Sequence, residues 1–460
     1  MFNNLSIEKT NGLKEEDLNT LKRLIAIYNN HASANATKDK YYEGKISLSE
    51  VNLGIALPEN LNRLEIGCEW GAKCVDVLAA RSMFDGFVTS NGGESEALNK
   101  IVEGNRLIAE YSKACRDELK YGCSFATMSK DEKLGCKIRF HTPETAAAEW
   151  NGAEGRIGCG FAIISVTQNP TTKLWTPNII NLYTDYNTIV LRNHNDTWNA
   201  EYHPHDIGRP LMEPLVWNPT NKKPFGRSRI KSSVRKLIQG YVRTIANATI
   251  GLEFATTPQK YMLGITDDQY DAVVNQKFKQ YVGSIIASTT NPDTGEKPTF
   301  GQLSQGSLVP HVDMLRMLST QFSAATGLTV TDVGVVNDAN PTSSDAILAQ
   351  SQTLVLMAEQ LNASNGNALN TIAKIALAVA TNKTINTLEE KNAIAHFKNP
   401  AMPSVAVTAD AAIKIASARE SFAETDTFLE MIGFSQADVR RIKGQEQRAR
   451  GLAVLKEIEE

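Results

Sequence analysis

Residues 224–230 read Pro-Phe-Gly-Arg-Ser-Arg-Ile, and they separate two parts of the chain that differ in texture. From residue 136 to residue 217, short runs rich in β-branched and aromatic residues alternate with Pro, Gly, Asn and Asp. This alternation is typical of a small antiparallel sheet with hairpins. After the motif, the pattern predicts a long helix over residues 227–256, which Pro258 ends because proline cannot continue a helix. The motif therefore marks the point where a β-rich region gives way to long helices.

Other helices are predicted where apolar residues recur at spacings of three and four. They cover residues 14–32, 59–81, 94–120, 409–430 and 436–443, and a further helix runs from Pro310 to about 325. The longest helix begins at Ser343 or Ser344, and it ends at 361 or, if it continues through Gly366, at 379. Strands are predicted at residues 137–141, 160–167, 173–184, 188–192, 197–202 and 260–265. The sequence thus predicts an α+β fold, mostly helical with an inserted antiparallel β region.

Composition narrows the class of protein. The 460 residues are 42% hydrophobic and 22% charged with a formal net charge of -3, values typical of a globular protein. The longest apolar runs, residues 160–166 and 375–380, are well below the roughly 18 to 20 residues that cross a bilayer. The first residues lack the basic and apolar regions of a secretory signal, so neither a membrane segment nor a signal is expected. All six cysteines lie between Cys68 and Cys159 without a Cys-x-x-Cys pair, which predicts reduced, buried thiols.

Two alternatives need consideration beside a structural function. His203, His205 and Asp206 form the one dense cluster of metal-ligating residue types, so a metal-dependent enzyme acting on nucleic acid is one alternative. No third ligand follows at typical zinc spacing, and no nucleotide-binding or hydrolase motif occurs, so we expect no catalytic residue, no metal and no cofactor. The second alternative is a DNA-binding regulator that uses residues 428–450, where basic residues follow the turn at Gly433. The net charge and the incomplete motif speak against this regulator.

The distribution of charge is uneven. Between Lys222 and Leu252 the chain has eight basic residues and no Asp or Glu, and the remaining 40 basic and 51 acidic residues sum to -11. Such a basic segment can contact nucleic acid or dock against acidic surfaces of neighbouring subunits.

Four stretches, taken in order, resemble the portal proteins of tailed bacteriophages, the siphophage-type head–tail connector family. They are Tyr41-Tyr42-x-Gly44 with Asn60-x-x-Arg63, residues 70–81 and Asp85-Gly86-Phe87; residues 114–125; residues 224–230 with Pro258-Gln259-Lys260-Tyr261; and residues 321–327 with Asn340-Pro341-Thr342-Ser343-Ser344-Asp345-Ala346. The resemblance as a whole covers about residues 15 to 380, and Pro-Phe-Gly-Arg-Ser-Arg-Ile is its most specific stretch.

The resemblance implies a portal-type fold in a closed ring of about twelve copies, with wing, stem, clip and crown regions. It assigns residues 1–223 to the wing, 224–257 to the first stem helix, 258–308 to the clip, 309–326 to the second stem helix, 327–343 to the tunnel loop, 344–404 to the long wing helix and a linker, and 405–460 to a crown-like helical region. The ring implied is a channel at one capsid vertex of the virion, made in the bacterial cytoplasm, through which double-stranded DNA is packaged and ejected.

The resemblance also implies partners and site residues. The partners are copies of the same chain, duplex DNA bound without sequence preference, capsid or scaffolding protein, terminase, and head-completion and tail proteins. The tunnel loop would present short, mostly apolar side chains to DNA at Thr329, Thr331, Asp332, Val333, Val335, Val336, Asn337 and Asp338. The basic segment, Arg227, Arg229, Lys231, Arg235 and Lys236, would pair with acids of the adjacent subunit or damp the backsliding of DNA. Docking residues of the clip would be Asp267, Asp268, Lys277, Lys279, Asp293, Glu296 and Lys297.

Overall fold

The protein is described here from a computed structural model. The structure describes residues 5–8, 10–47, 66–89, 96–168, 173, 175–194, 197–256, 260–263, 295, 299–302, 307–334, 344–385, 393–401, 405–434 and 436–459.

Helices account for about half of the described residues, in a mixed α+β fold. In chain order they are α1 (Glu15–Tyr42), α2 (Trp70–Ala79), α3 (Glu96–Gly104), α4 (Leu107–Tyr121), α5 (Ser232–Thr256), α6 (Val309–Thr326), α7 (Ser344–Thr381), α8 (Val405–Ala418), α9 (Asp426–Ile432) and α10 (Gln436–Glu459). A single 3₁₀ turn at Glu420–Phe422 lies between α8 and α9.

The strands form antiparallel sheets, apart from one short parallel edge. They are β1 (Thr10–Asn11), β2 (Phe84–Thr89), β3 (Cys123–Asp131), β4 (Gly135–His141), β5 (Ala146–Asn151), β6 (Arg156–Gln168), β7 (Trp175–Tyr183), β8 (Asn187–His194), β9 (Thr197–Pro204), β10 (Met212–Val216), β11 (Lys260–Leu263), β12 (Thr299–Gln302) and β13 (Ala393–Phe397). A six-stranded sheet has the order β1-β9-β8-β7-β6-β5, with β1 parallel to β9. A three-stranded sheet has the order β10-β3-β4, and β11 with β12 and β13 with β2 form two-stranded ribbons.

Two hydrophobic cores hold these layers together. In the smaller core, one face of α1 covers the six-stranded sheet, where Leu21 and Leu24 are fully buried with Phe161. In the larger core, α7 packs on α4 and on the three-stranded sheet, with Leu119 and Ile372 fully buried. Because fully burying one such side chain stabilises a fold by about 1.5–3 kcal/mol, these cores fix how the sheets and helices sit together.

The cysteine prediction is confirmed for all six residues, which are buried, unpaired thiols. Burial is also the main cause that raises the pKa of each thiol, to about 11 for Cys68 and to about 12 for Cys74. Among the described residues, no helix has the length and apolar character needed to cross a membrane.

The predicted strands between residues 136 and 217 are confirmed, but the β structure is more extensive than the sequence indicated. Strands β3, β5 and β10 were not predicted, and neither were β2 and β13 of the ribbon. The first six residues of β3 are buried without interruption, so β3 lacks the polar alternation by which a half-exposed strand is recognised.

The predicted helix over 94–120 is wrong as one unit, because the chain breaks between α3 and α4. Asn105 is buried and its side chain bonds to strand β4: it donates to the carbonyl of Cys136 at 2.9 Å and accepts from the amide of Ile138 at 2.9 Å. Arg106 then adopts a left-handed conformation with φ of 51°. The side-chain amide of Asn105 also donates to the carbonyl of Ile101 at 2.9 Å, so this side chain ties the end of α3 to the sheet where the chain turns.

Other predicted helix limits change for local reasons. α1 continues ten residues beyond residue 32, because its polar second half is tied to the core by Lys38, whose ammonium donates to the carbonyl of Tyr121 at 2.9 Å. The helix predicted over 59–81 begins only at Trp70: residues 66–69 are not helical, and Cys68 is buried beside the turn at Gly44 instead. Residues 59–65 lie outside the described part.

In the C-terminal region the helix predicted over 409–430 is wrong, since it is two helices. Arg419 has an extended backbone, with φ of -147°, and Thr425 caps α9 through its hydroxyl, which accepts from the amide of Phe428 at 3.3 Å. The last helix, predicted to end at residue 443, continues to Glu459. The sequence did not indicate this end, because the helix is largely polar and has no apolar pattern.

The longest helix is confirmed as a continuous element that runs through Gly366. A methyl group at that position would meet only the ring of Phe397, at the ordinary distance of 3.6 Å. The helix opened by Pro310 is also confirmed, and it ends at Thr326 with Gly327 in the left-handed conformation typical of helix ends.

A buried polar chain connects α4 to α7. The amide of Asn365 donates to Glu118 at 2.7 Å and to the hydroxyl of Tyr111 at 3.0 Å, and that hydroxyl lies 2.7 Å from the hydroxyl of Ser82. Glu118 and Asn365 are both completely buried. Burial raises the pKa of Glu118 to about 8, with the bond from Asn365 opposing, so the carboxyl is protonated at neutral pH.

Replacing Glu118 by glutamine is expected to flatten the pH dependence of stability. The pKa of Glu118 is higher in the folded protein than in the unfolded chain. The folded parent protein is therefore most stable below about pH 4.5, and it loses stability as the pH rises toward 8. The loss in the parent should reach a few kcal/mol, at about 1.4 kcal/mol per pKa unit. Thermal unfolding of E118Q and parent at equal protein concentration, at about pH 5 and about pH 9, measures this difference. Equal losses in the two proteins would contradict the assignment.

Candidate functional site

Arg229 lies at the centre of the candidate site and is buried, with only 6% of its surface exposed. Its Nε donates to the carbonyl of Cys74 in α2, and one terminal nitrogen donates to the carbonyl of Thr326, the last residue of α6, at 2.7 Å. The other terminal nitrogen lies 3.7 Å from the sulfur of Met357 in α7. Burial lowers the pKa of the guanidinium, which nevertheless stays charged in proteins. One side chain thus connects three helices, and we call the region around it the junction.

The turn before Arg229 positions this side chain. The amide of Arg227 donates to the carbonyl of Trp217 at 3.1 Å, and the amide of Arg229 donates to the carbonyl of Leu119 at 2.9 Å. The amide of Ile230 donates to the hydroxyl of Ser228 at 2.9 Å. These bonds are not helical, so the predicted helix start at 227 is wrong and α5 begins at Ser232.

Gly226 allows the turn to pass close to the backbone at Trp217 and at Gly122. Its φ is 67°, and a methyl group there would overlap the carbonyl oxygen of Trp217 and lie 2.9 Å from that of Gly122. Phe225 packs its ring against Phe125 and Trp150, with 5.8 Å between centroids in each pair. The motif that stands out in the sequence therefore joins the β-rich region to the helices.

The predicted basic segment divides into two groups. Arg227, Lys231 and Lys236 are exposed, and Arg235 is half-buried with its guanidinium 5.9 Å from the ring centre of Tyr41. The prediction that Arg229 pairs with an acid of the adjacent subunit or damps the backsliding of DNA stays a prediction, but within one chain its side chain is turned into the protein. The cause is the pair of backbone carbonyls that hold it inside.

A small network of hydrogen bonds holds the described start of the predicted tunnel loop. Asp332 accepts from the amide of Thr329 at 3.0 Å and from its hydroxyl at 2.8 Å, while its own amide donates to that hydroxyl at 3.1 Å. Lys73 donates to the carbonyl of Asp332 at 3.0 Å. Thr331 is exposed, whereas Val333 is buried in the larger core, so the prediction that Val333 faces DNA is wrong. The loop residues Val335, Val336, Asn337 and Asp338 lie outside the described part.

Two long helices meet beside the junction. Trp70 stacks between them, with its ring centre 4.3 Å from that of Tyr241 in α5 and 4.6 Å from that of Phe322 in α6. Gly240 lets the helices approach closely, since a methyl group there would lie 3.2 Å from Leu318. The predicted clip residues that follow α5 all lie outside the described part: Asp267, Asp268, Lys277, Lys279, Asp293, Glu296 and Lys297.

A cavity of about 390 Å³ opens at the junction. Its walls come from the segment Trp217 to Pro219, the end of α6 with Gly327, and one face of α7. Arg229 and Lys231 supply its positive charge, and Gln360 and Ser364 supply neutral polar groups. No acidic side chain is among the described residues that line it.

The histidine cluster does not form a ligand set. His203 is exposed, 3.4 Å from Glu201, while His205 donates its backbone amide to the carbonyl of Tyr186 at 2.8 Å. Both ring nitrogens of His205 are buried without a hydrogen-bond partner among the described residues, and burial lowers its pKa. Within the described ranges, no group of three or more His, Cys, Asp or Glu is arranged to hold a metal ion.

Sequence reasoning missed most of the junction's partners. The carbonyls of Cys74 and Thr326 and the sulfur of Met357 lie 97 to 155 positions away from Arg229 along the chain. Backbone carbonyls carry no signal in the sequence. The one available hint was that Arg229 stands between small and apolar neighbours, Ser228 and Ile230.

Comparison with known proteins gives a family and distant structural likenesses. A profile of the family described as "Phage portal protein, SPP1 Gp6-like" matches residues 21–451. A chain in the "Neck of empty GTA particle computed with C6 symmetry" is similar over 82% of this chain and 90% of its own length, at 12% identity and a TM-score of 0.46. A chain in the "Neck of native GTA particle computed with C12 symmetry" is similar over 79% of this chain and 89% of its own length, at 11% identity and a TM-score of 0.44. No curated protein matches the chain in sequence.

Replacing Gly226 by alanine is expected to destabilise the protein by ~2–5 kcal/mol, from left-handed strain plus overlap with backbone. Gly155 is the matched control, because its φ is 64° but a methyl group there would meet nothing within 4 Å. G155A should therefore cost only the strain, about 1–2 kcal/mol. Thermal unfolding compares the two variants, and equal losses would show that the close approach at Gly226 is unimportant.

Proposed function

The chain belongs to the phage portal protein family, SPP1 Gp6-like, and from this premise we propose that identical copies form a ring at one capsid vertex. Double-stranded DNA passes through this ring during packaging and ejection. The observation that carries the proposal is the family match, which covers residues 21–451 and so contains the whole junction.

Members of this family are structural proteins of the phage neck, so the chain is a head–tail connector protein and not an enzyme. The metal-dependent enzyme centred on His203, His205 and Asp206 is therefore set aside. The second alternative, a DNA-binding regulator, is set aside as well, since a connector protein has no need to read a DNA sequence.

The proposed division of the chain follows the portal plan. Residues 1–223 are the wing, 224–257 the first stem helix, 258–308 the clip, 309–326 the second stem helix, 327–343 the tunnel loop, 344–404 the long wing helix with its linker, and 405–460 the crown-like region. The packing of α5 on α6 around Trp70 supports a paired stem. The contact of Arg229 with both stem and long wing helix supports a junction that transmits force between them.

The tunnel loop is proposed to face the DNA with short side chains and little positive charge. Among the described residues, Thr331 is exposed and Asp332 is half-buried with its carboxylate already bonded to Thr329. Duplex DNA carries one negative charge per about 1.7 Å, so a basic loop would hold the DNA rather than let it slide. A fixed loop start without a basic side chain of its own is compatible with passage of DNA.

The other partners are proposed from the family plan. Terminase, head-completion and tail proteins would dock on the clip, and capsid or scaffolding protein on the wing. The exposed basic residues Arg227, Lys231 and Lys236 would lie near the wing–stem boundary. There they would pair with acids of the adjacent subunit or damp backsliding of DNA.

Negative-stain electron microscopy of the purified protein, with mass from light scattering, tests the ring. The expected result is turbine-shaped particles with a central hole and a mass near about twelve chains. Compact single chains that remain single when scaffolding protein is added would overturn the proposal.

A lysine at position 331 is expected to make the channel hold DNA. T331K adds one positive charge per subunit at an exposed site, so rings should retain duplex fragments more strongly at low salt and release them as salt rises. T331S is the neutral control and should behave like the parent. Sedimentation of rings with labelled duplex measures retention, and equal retention by all three proteins would show that the loop does not face DNA.

A further inference from the structure

Arg229 is a buried cation whose hydrogen-bonding capacity is only partly used. A guanidinium has five N–H donors, and the described residues provide acceptors at three contacts: two backbone carbonyls and the weakly accepting thioether of Met357. None of the described carboxylates forms a salt bridge with it. Burying a charge without an opposite charge is costly, and buried charges in proteins are ordinarily paired. Its guanidinium also lies 5.7 Å from the ring centre of Trp217, a cation–π contact that offsets only part of the charge. Arg229 therefore has unused donors and no anion beside it among the described residues.

The cavity at the junction provides space for that anion. Arg229 lines the cavity together with Lys231, which is exposed, so one cation is deep and the other is accessible to solvent. The neutral side chains of Gln360 and Ser364 on α7 line the same space. Its volume of about 390 Å³ exceeds that of an Asp or Glu side chain. The arrangement is a positively charged recess with no anion of its own among the described residues.

We propose that this recess binds the carboxylate of an Asp or Glu side chain from an adjacent copy of this chain. The proposal rests on the proposed function, because it needs copies packed side by side in a ring. The carboxylate would meet the free N–H groups of Arg229, and Lys231 would lie at the entrance.

Depth and charge both favour a protein carboxylate over a DNA phosphate. With 6% exposure, Arg229 lies below the surface, where a slender side chain reaches and the backbone of a wide duplex does not. The chain outside residues 222–252 also has an excess of eleven negative charges, whereas that segment has eight positive charges and no negative ones. Neighbouring copies therefore carry complementary charge.

A first test supplies the carboxylate from within the same chain. M357E places an acid beside the terminal nitrogen of Arg229, and M357Q has the same shape without the charge. M357E should satisfy Arg229 internally and so raise the concentration needed for ring formation by about tenfold or more, as losses at buried charge pairs do. M357Q should assemble within about threefold of the parent. Equal assembly of both variants would overturn the proposal.

A second test identifies the partner without disturbing Arg229. Rings are assembled from equal amounts of ¹⁴N- and ¹⁵N-labelled chains and treated with a carbodiimide, which joins lysine amines directly to carboxylates. Mass spectrometry should find Lys231 linked to an Asp- or Glu-containing peptide in mixed-isotope products, and K231R, which cannot couple, should lack them. Rings in which other lysines couple between chains but Lys231 does not would overturn the proposal.

Two further outcomes are distinguishable from these. In the first, a duplex DNA fragment protects Lys231 from coupling, and after the DNA is removed Lys231 couples only to carboxylates of its own chain. The ligand is then a DNA phosphate, and the carboxylate assignment is wrong. If light scattering finds no ring under any condition, the proposed function itself fails and this inference fails with it. Rings without the Lys231 linkage refute the inference alone.

Discussion

The structure depends on one buried guanidinium. Arg229 bonds to a carbonyl of α2 and to the last carbonyl of α6, and it contacts α7, so three elements distant in sequence meet at one side chain. Hydrogen bonds to a charged group are about twice as strong as neutral ones, and leaving one buried partner unsatisfied is costly. The position of α6 relative to α7 follows from this constraint, and so does the point at which the chain leaves α6 after Thr326.

The rest of the junction keeps that guanidinium in place. The tight turn at Gly226 leads the chain past Trp217 and Gly122, and the aromatic stack around Trp70 holds α5 beside α6. On the far side, the buried chain from Ser82 through Asn365 to Glu118 links α7 to α4. In the proposed channel, closely packed elements at this base would shift little under load.

The sequence predicted the regular parts of this fold and few of its connections. The longest helix and the strands of the six-stranded sheet between residues 156 and 204 were recognised because each has a clear apolar period or turn chemistry. The break at Asn105 was not recognised, because it depends on a side chain that bonds to strand β4, about 30 residues further along the chain. At the site, the motif around Gly226 was singled out, and Arg229 was predicted to pair with an acid of the adjacent subunit or to damp the backsliding of DNA, but its burial and its contacts within the chain were not predicted. Its acceptors are backbone carbonyls, which no residue pattern reveals, and Val333 was assigned to the DNA side although tertiary packing buries it.

The most direct test of the account is a cryo-electron microscopy map of the assembled ring, refined with the symmetry that the particles themselves show. Residues 327–343 are expected to line the narrowest part of the channel, and an acidic side chain of the next subunit is expected to close the recess at Arg229 and Lys231. A map with residues 327–343 on the outer surface of the ring, remote from the axis, would contradict it.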